Sequence, residues 1–541
     1  MSKHSAFVKG AAILAVAGIG VRFVGAAMRI LLAAIIGDEG IGLYQMAYPV
    51  YSSLLAISTA GIPVAVSKLV SENIALRDFR EAARVFRIAM VILSLTGLVI
   101  ALLLFFGAEI MAERIVKEPR AVYPIMAIAP AIFFVTIMSA IRGFFQGQQK
   151  MIPTAASQVV EQVGRVAVSL ALALWLLPVG LEFAAAGAAA GAVGGGILGL
   201  FLLVILYFRE RPNFQRAMKC QRGHNPALYS QIVKRIFALA IPITFGSLIM
   251  PLSTMIDLAV VPRQLQAAGF TAERATALYG QLTGMASSVI YFPNVVTLAL
   301  SMSLVPAISE AYVLRQSSLI RSRTALAVKL TMLFCLPAAV GLFILAEPIT
   351  LLLFKNAEAG YPLAVSSWSV IPLCLYVSTT GIIQGLGRTV IPVLNMVYGG
   401  LVKTVLAWYL TAVPALHVGG AAFASVAGMG VAAVLNLYYV ARYTGWRFKI
   451  GELLLLPGLA AAVMAAAVYL AGGMAARFAG PYLSPSMTNG VATLSAIFIG
   501  IVVYGLGLLV TGGLRGDELA LVPRLGPHLV RIASRLRLLR R

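Results

Sequence analysis

The sequence predicts an all-α polytopic membrane protein of fourteen transmembrane helices, arranged as two pseudo-symmetric six-helix lobes plus two C-terminal helices. Three observations predict this fold class: the composition, the distribution of basic residues between loops, and an internal repeat. The chain of 541 residues is 60% hydrophobic and 11% charged, whereas soluble domains carry about 25% charged residues. One core cannot hide this much apolar surface from water, so the solvent must be lipid. The continuous apolar runs also differ from the polar–apolar alternation of a transmembrane barrel.

Apolar runs of about 20 residues are long enough to cross a bilayer as helices. The first run follows Lys3 and Lys9 and contains Arg22 and Arg29, so we interpret it as a membrane helix rather than a cleavable signal peptide. The fourteen predicted spans are 7–36, 43–69, 85–107, 121–145, 154–177, 183–208, 234–260, 277–308, 325–346, 361–384, 391–413, 417–440, 452–473 and 489–512.

The basic residues alternate from loop to loop. If the N-terminus is inside, 31 of the 42 lysines and arginines are cytoplasmic, 7 are outside and 4 lie within spans. This positive-inside bias predicts cytoplasmic termini. Contact with anionic membrane lipids accounts for the net charge of +23, and no nucleic-acid partner is required. The tail, 513–541, is predicted to be a basic amphipathic helix at the membrane surface, with one apolar face formed by Leu525, Leu529, Ile532, Leu536 and Leu539.

Two similar phrases reveal an internal repeat. GFFQGQQKMIP begins at Gly143, and GIIQGLGRTVIP begins 238 residues later at Gly381. They connect spans 4 and 5 and spans 10 and 11, so the offset is six spans. Parallel repeats of this kind are typical of transporters with a central substrate site, although a duplicated static scaffold is the alternative. We expect an N-terminal lobe (1–208), a cytoplasmic linker (209–233) and a C-terminal lobe (234–440). The helix pair 13–14 (441–512) and the tail (513–541) follow.

Charged residues inside spans are costly and usually serve a function or pair with one another. Arg22 and Arg29 are seven residues apart, so they share a helix face about 10 Å apart along the axis. No acid neutralises them within that helix core, which makes them candidate binders of an anion such as phosphate. The alternative is that they extend to the interface or bond to backbone carbonyls.

Four more charges lie well inside the spans, away from their ends. Glu161 and Arg165 have the spacing of a structural ion pair on one helix. Asp257 and Lys403, on spans 7 and 11, either pair with each other or leave Asp257 to bind a coupling proton or sodium ion.

Polar residues recur at helical spacing in spans 2 and 8. We expect them to line the central cleft, although such residues can also hold helices together. They are Gln45, Tyr48 and Ser52 in span 2, and Gln281, Ser288 and Tyr291 in span 8. The three cysteines and four histidines are scattered, so we expect no metal, no cofactor and no catalytic residue.

The stretches GDEGIGLYQMAYPVYSSLLAISTAGIPVAVSKLVSE (37–72) and GFFQGQQKMIPTAASQVVEQVGRV (143–166) resemble the polysaccharide-transporter branch of the multidrug/oligosaccharidyl-lipid/polysaccharide (MOP) exporter superfamily. They are most similar to the Gram-positive members that are related to stage V sporulation proteins and to lipid II flippases. The resemblance implies a bacterial plasma membrane and a flippase for an undecaprenyl-diphosphate-linked saccharide. It also implies a cationic cavity in which Arg22 takes part, a groove for the lipid tail on spans 13 and 14, and contact with the cell-wall synthesis machinery.

The chain departs from the Gram-negative lipid II flippases at two places. Their Arg-Asp pair in span 1 falls on Met28 and Arg29, and their span 2 arginine falls near Ser52 and Ser53. A multidrug antiporter of the same superfamily remains a rival, although such proteins need cavity acids. A membrane glycosyltransferase is a second rival, but no outer loop carries a catalytic cluster.

Overall fold

A computed structural model describes residues 3–59, 61–221, 227–447 and 451–512. This part of the chain is helical and contains no strand, as the sequence predicts. The chain divides into two compact units, Met1–Gly280 and Gln281–Arg541. The tail predicted to be amphipathic lies outside the described residues.

In the described part of the first unit, eight helices surround a core of apolar side chains such as Leu69, Leu93 and Phe145. Its helices are α1 (Lys3–Thr59), α2 (Ile62–Ala75), α3 (Phe79–Ile110), α4 (Val122–Gly147), α5 (Ile152–Leu176), α6 (Leu181–Lys219), α7 (Tyr229–Ala267) and α8 (Ala272–Gly280). The unit therefore includes α7, which the sequence predicts to be part of the C-terminal lobe. The predicted division into lobes remains a prediction.

Nine helices lie in the described part of the second unit, and one of its buried clusters surrounds Ile308, Ile320 and Leu386. Its helices are α9 (Ser287–Val313), α10 (Ser317–Ile344), α11 (Ala346–Phe354), α12 (Gly360–Ser367), α13 (Val370–Gly385), α14 (Val390–Leu410), α15 (His417–Thr444), α16 (Leu456–Ala479) and α17 (Pro485–Thr511). A π-helical turn, Gln281–Ala286, precedes α9.

Twelve helical stretches of the described chain are long and apolar enough to cross a membrane, and the bent pair α12–α13 adds a thirteenth. One of the twelve, Val16–Ala75, has 60 residues. At 1.5 Å per residue it is about 90 Å long, roughly three times the hydrocarbon thickness, so it contains more than one crossing. Gly37, with φ 67° and ψ −171°, breaks α1 at the predicted boundary of spans 1 and 2. The break is consistent with fourteen spans, a count that remains a prediction.

The two repeated phrases have the same local structure. Each ends a helix, at Gly147 and Gly385, and the second residue after it has a left-handed backbone, with φ 60° at Gln149 and 78° at Gly387. In both phrases, the amide of this residue donates to the carbonyl three residues earlier at 2.9 Å. The sequence similarity therefore reflects one helix-ending motif used twice.

The glycines that open the phrases also pack alike. A β-carbon at Gly143 would lie 2.7 Å from the carbonyl oxygen of Pro63, and one at Gly381 would lie 2.9 Å from that of Ser301. Contacts this short are not tolerated, so each position needs glycine. Pro63 and Ser301 are themselves 238 residues apart. The same helix–helix contact is thus built at the same offset in each unit.

Candidate functional site

Arg22 and Arg29 occupy one face of α1. Arg22 is exposed, and it has no hydrogen-bond or ion-pair partner among the residues that the structure describes. Arg29 is half-buried and acts electrostatically on the hydroxyl of Tyr44, as does Arg165. We call the surface around Arg22, Gly25 and Arg29 the cationic face of α1. Its charge suits an anion, because arginine forks match phosphate oxygens.

Gln162 of α5 lies beside this face. A β-carbon at Gly25 would lie 3.3 Å from Gln162 Nε2, so glycine leaves room for the amide. Gln162 is half-buried and has no hydrogen-bond partner within the described residues. One turn earlier, the buried Gln158 Oε1 also lacks a partner among them. The two amides offer neutral donors and acceptors next to the arginines, a combination suited to a sugar phosphate.

Glu161 of α5 joins two arginines. Its carboxylate accepts from Arg165 Nη2 at 2.9 Å and from Arg142 Nη2 at 2.9 Å. Arg142 also donates to Ser157 Oγ at 2.9 Å. The sequence placed Glu161 and Arg165 together but did not single out Arg142, which lies near the end of predicted span 4. The cluster carries two positive charges for one negative charge, so the polar interior of this unit is cationic.

Tyrosines connect this cluster with α1. Arg165 Nη1 donates to the Tyr48 hydroxyl at 3.4 Å. The Tyr48 ring lies 6.2 Å from that of Tyr44 and 5.8 Å from that of Tyr51. Among the predicted cleft residues, Tyr48 is therefore part of the arginine network of α5.

The other predicted polar residues of span 2 differ in their surroundings. Gln45 is buried, with 8% of its surface exposed. The hydroxyl of Ser52 donates to the carbonyl of Pro49 in its own helix at 3.1 Å. That bond is typical of a serine that serves its own helix rather than a ligand.

The span 8 residues fall in the second unit. Gln281 is fully buried, and its amide donates to Glu358 Oε2 at 3.1 Å. The Ser288 hydroxyl donates to the carbonyl of Gly284, and Tyr291 is 44% exposed. Glu358 lies in a loop 77 residues after Gln281. The sequence did not identify it, because only the fold brings the two side chains together.

Asp257 and Lys403 lie in different units. Asp257 is half-buried in α7 of the first unit, and Lys403 is half-buried in α14 of the second. Lys403 packs on α15, because a β-carbon added at Gly428 of that helix would lie 2.6 Å from the β-carbon of Lys403. Their pairing and the coupling role of Asp257 both remain predictions.

The predicted outer ends of spans 1, 2, 4 and 8 meet in the first unit, close to the break of α1 at Gly37. Arg120 bridges Glu39 at 2.6 Å and Glu118 at 2.9 Å, and the Thr276 hydroxyl donates to Glu118 at 2.9 Å. We call Glu39, Glu118, Arg120 and Thr276 the outer clamp. Burial alone would raise the pKa of Glu118, but hydrogen bonds from Arg120 and Thr276 lower it overall. Glu118 therefore stays ionised at neutral pH.

Glycines close the same junction. A β-carbon at Gly42 would lie 2.1 Å from the carbonyl oxygen of Thr276, and one at Gly280 would lie 2.2 Å from that of Asp38. Gly42 begins GLYQ, and Gly280 ends ALYG, two phrases that echo each other in the sequence. Their glycines let the backbones of α1 and α8 touch.

An apolar cavity of about 580 Å³ lies among α11, α16 and α17 in the second unit. Its wall includes Pro348, Gly472, Leu483 and Ala492. This cavity is on the helix pair for which the resemblance implies a lipid-tail groove. Among the described residues, no cluster of three or more His, Cys, Asp or Glu side chains could hold a metal ion.

Comparison with known proteins identifies the class. Residues 7–312 match the family model described as polysaccharide biosynthesis protein. Stage V sporulation protein B of Bacillus subtilis is 30% identical over 533 residues, covering 98% of this chain and 100% of the relative. The lipid II flippase MurJ of the same organism is 27% identical over 446 residues, covering 79% and 81%. A solved lipid II flippase MurJ, in an inward closed conformation, superposes with a TM-score of 0.67 at 16% identity, covering 91% and 97%.

The fold and these matches define a polytopic membrane protein whose named relatives include lipid II flippases. The chain belongs to the polysaccharide biosynthesis protein family.

Proposed function

We propose that the protein is a flippase that moves an undecaprenyl-diphosphate-linked saccharide from the inner to the outer leaflet by alternating access. The observation that carries this proposal is the cationic face of α1. Arg22 has no partner among the described residues, and the Gln162 amide lies beside Gly25 of the same face, also without a partner among them. A diphosphate needs cations, and a sugar needs neutral hydrogen-bonding groups. A cation antiporter would need acids at this surface, whereas arginines occupy it.

The leading substrate is lipid II, the peptidoglycan precursor. A relative with 27% identity is named a lipid II flippase, which supports this choice. A sporulation relative matches over 98% of this chain, so a lipid-linked glycan of the spore wall is the second candidate. Both substrates carry the diphosphate that the arginines would bind. The proposal places the protein in a bacterial plasma membrane with cytoplasmic termini, next to the enzymes that supply and polymerise the lipid-linked precursor.

The direct genetic test is rescue of a host whose own lipid II flippases are depleted. We expect the wild-type chain to restore growth and Arg22→Ala to fail at equal membrane abundance. The matched control is Arg77→Ala, which removes an exposed arginine from the loop after α2. Rescue by Arg22→Ala would contradict a role for the cationic face. Failure of abundant wild-type protein would reject lipid II and favour the spore-wall glycan.

A further inference from the structure

A groove lies where α3, α4 and α6 meet, at the ends that the basic-residue pattern places at the cytoplasmic surface. It encloses about 240 Å³. Its floor is aromatic: the Phe144 ring lies 4.4 Å from Phe86, 6.0 Å from Tyr207 and 5.2 Å from Phe214. Met90 and Val91 extend the apolar wall along α3. The groove shares no residue with the cationic face of α1.

The mouth of the groove is cationic. Arg87 of α3 and Arg211 of α6 both line it and are both exposed. Neither has a carboxylate partner within the described chain, and the Arg211 guanidinium lies 5.9 Å from the Phe208 ring. The acid in the lining, Glu210, pairs with Lys150. The arginines therefore keep their charge available to a ligand.

We propose that this groove binds an anionic phospholipid of the inner leaflet. The phosphodiester lies between Arg87 and Arg211, and the first carbons of one acyl chain lie over Phe86 and Phe144. A cationic mouth above an apolar floor matches an amphiphile with an anionic head, and basic pockets between cytoplasmic helix ends are known to take such headgroups. Drug-sized pockets span about 300–1,000 Å³, so a groove of this volume holds the head and upper chain rather than a whole lipid.

The test measures lipid binding to the purified full-length protein in detergent by native mass spectrometry. Dioleoylphosphatidylglycerol is compared with dioleoylphosphatidylcholine, which has the same chains, and with inorganic phosphate. We expect phosphatidylglycerol to bind at least tenfold more tightly than either. The double variant Arg87→Ala/Arg211→Ala should lose at least tenfold in phosphatidylglycerol affinity. The control Arg209→Ala/Arg216→Ala removes two exposed arginines of α6 outside the groove. It should keep the phosphatidylglycerol affinity of the wild type.

A third variant separates the groove from simple charge. Ala83→Trp fills the cavity that Ala83 lines and leaves both arginines in place. It should also lose phosphatidylglycerol binding, with an unchanged gel-filtration profile. The proposal is overturned if the Arg87/Arg211 double variant binds phosphatidylglycerol as the wild type does, or if Ala83→Trp does. Equal affinity for phosphatidylcholine or for inorganic phosphate would also overturn it.

Discussion

At the residue scale, charge balance governs the interior of the first unit. Glu161 faces Arg142 and Arg165, each at 2.9 Å, with about 13–14% of the three side chains exposed. Removing one partner of a buried ion pair typically costs about 3–5 kcal/mol, because the remaining charge stays uncompensated. The carboxylate is therefore required to keep two guanidinium groups in place.

We predict that Glu161→Gln lowers the free energy of unfolding by about 3 kcal/mol or more. Thermal unfolding of the detergent-purified protein measures the change. The double variant Glu161→Gln/Arg142→Gln should recover part of the loss, since one uncompensated charge is removed with its partner. An unfolding midpoint of Glu161→Gln equal to that of the wild type would show that the network does not stabilise the unit.

Gln162 allows a second prediction at this scale. We expect Gln162→Leu to reduce transport about tenfold, the effect of losing one hydrogen bond of roughly 1.4 kcal/mol to the substrate. Substrate-dependent growth at equal protein abundance measures the loss. Val163→Leu, at the exposed neighbouring position, is the control and should behave as wild type. Full activity of Gln162→Leu would show that the amide does not bind the substrate.

At the element scale, α1 and α8 touch through glycines and the outer clamp. We predict that Gly42→Val separates the two helices, because its β-carbon would lie 2.1 Å from the Thr276 carbonyl oxygen. A cysteine at position 45, in a chain whose Cys220, Cys335 and Cys374 are serine, should then react faster with an impermeant thiol reagent added outside. Gly246→Val is the control, since nothing lies within 4 Å of a β-carbon there. Unchanged labelling in Gly42→Val would show that the contact does not close the outer side.

The clamp also predicts a pH dependence. The pKa of Glu118 is lowered in the fold, because hydrogen bonds from Arg120 and Thr276 outweigh its burial. A lowered pKa means that the carboxylate stabilises the clamp above its unfolded pKa of about 4.3, and that this stability is lost as pH falls through the folded value. We expect the labelling rate at position 45, divided by that of the denatured protein at the same pH to cancel thiol ionisation, to be constant from about pH 5 to 8 and to rise in stronger acid. Glu118→Gln should abolish that acid-dependent rise. If labelling of the Glu118→Gln variant still rises in acid, another group causes the effect.

At the scale of the whole molecule, Asp257 and Lys403 belong to different compact units. If they pair, which is one of the two alternatives that the sequence leaves open, Asp257→Asn and Lys403→Gln should each reduce transport, and Asp257→Lys/Lys403→Asp should restore part of it. Growth of the flippase-depleted host measures each variant. No rescue by the exchange, with all proteins abundant, would reject the pairing and favour an ion-coupling role for Asp257.

The sequence predicted the helical membrane fold because apolar run length and loop charge depend only on local composition. It also predicted the repeated helix ends at Gly147 and Gly385, since backbone turns leave a local glycine signal. Arg142 was not singled out because hydropathy cannot show that its side chain reaches Glu161. Gln162 was missed because nothing in the sequence shows that it lies beside Gly25 of α1. Both depend on how α4, α5 and α1 pack, which one sequence does not contain.

The central claim is that the cationic face of α1 carries a lipid-linked saccharide across the membrane. The most direct measurement is the amount of lipid II in the outer leaflet of flippase-depleted cells, read by cleavage with an added enzyme that cannot cross the membrane. We predict that the wild-type chain restores outer-leaflet cleavage and that equally abundant Arg22→Ala leaves lipid II inside. Equal cleavage with Arg22→Ala and wild type would contradict the claim.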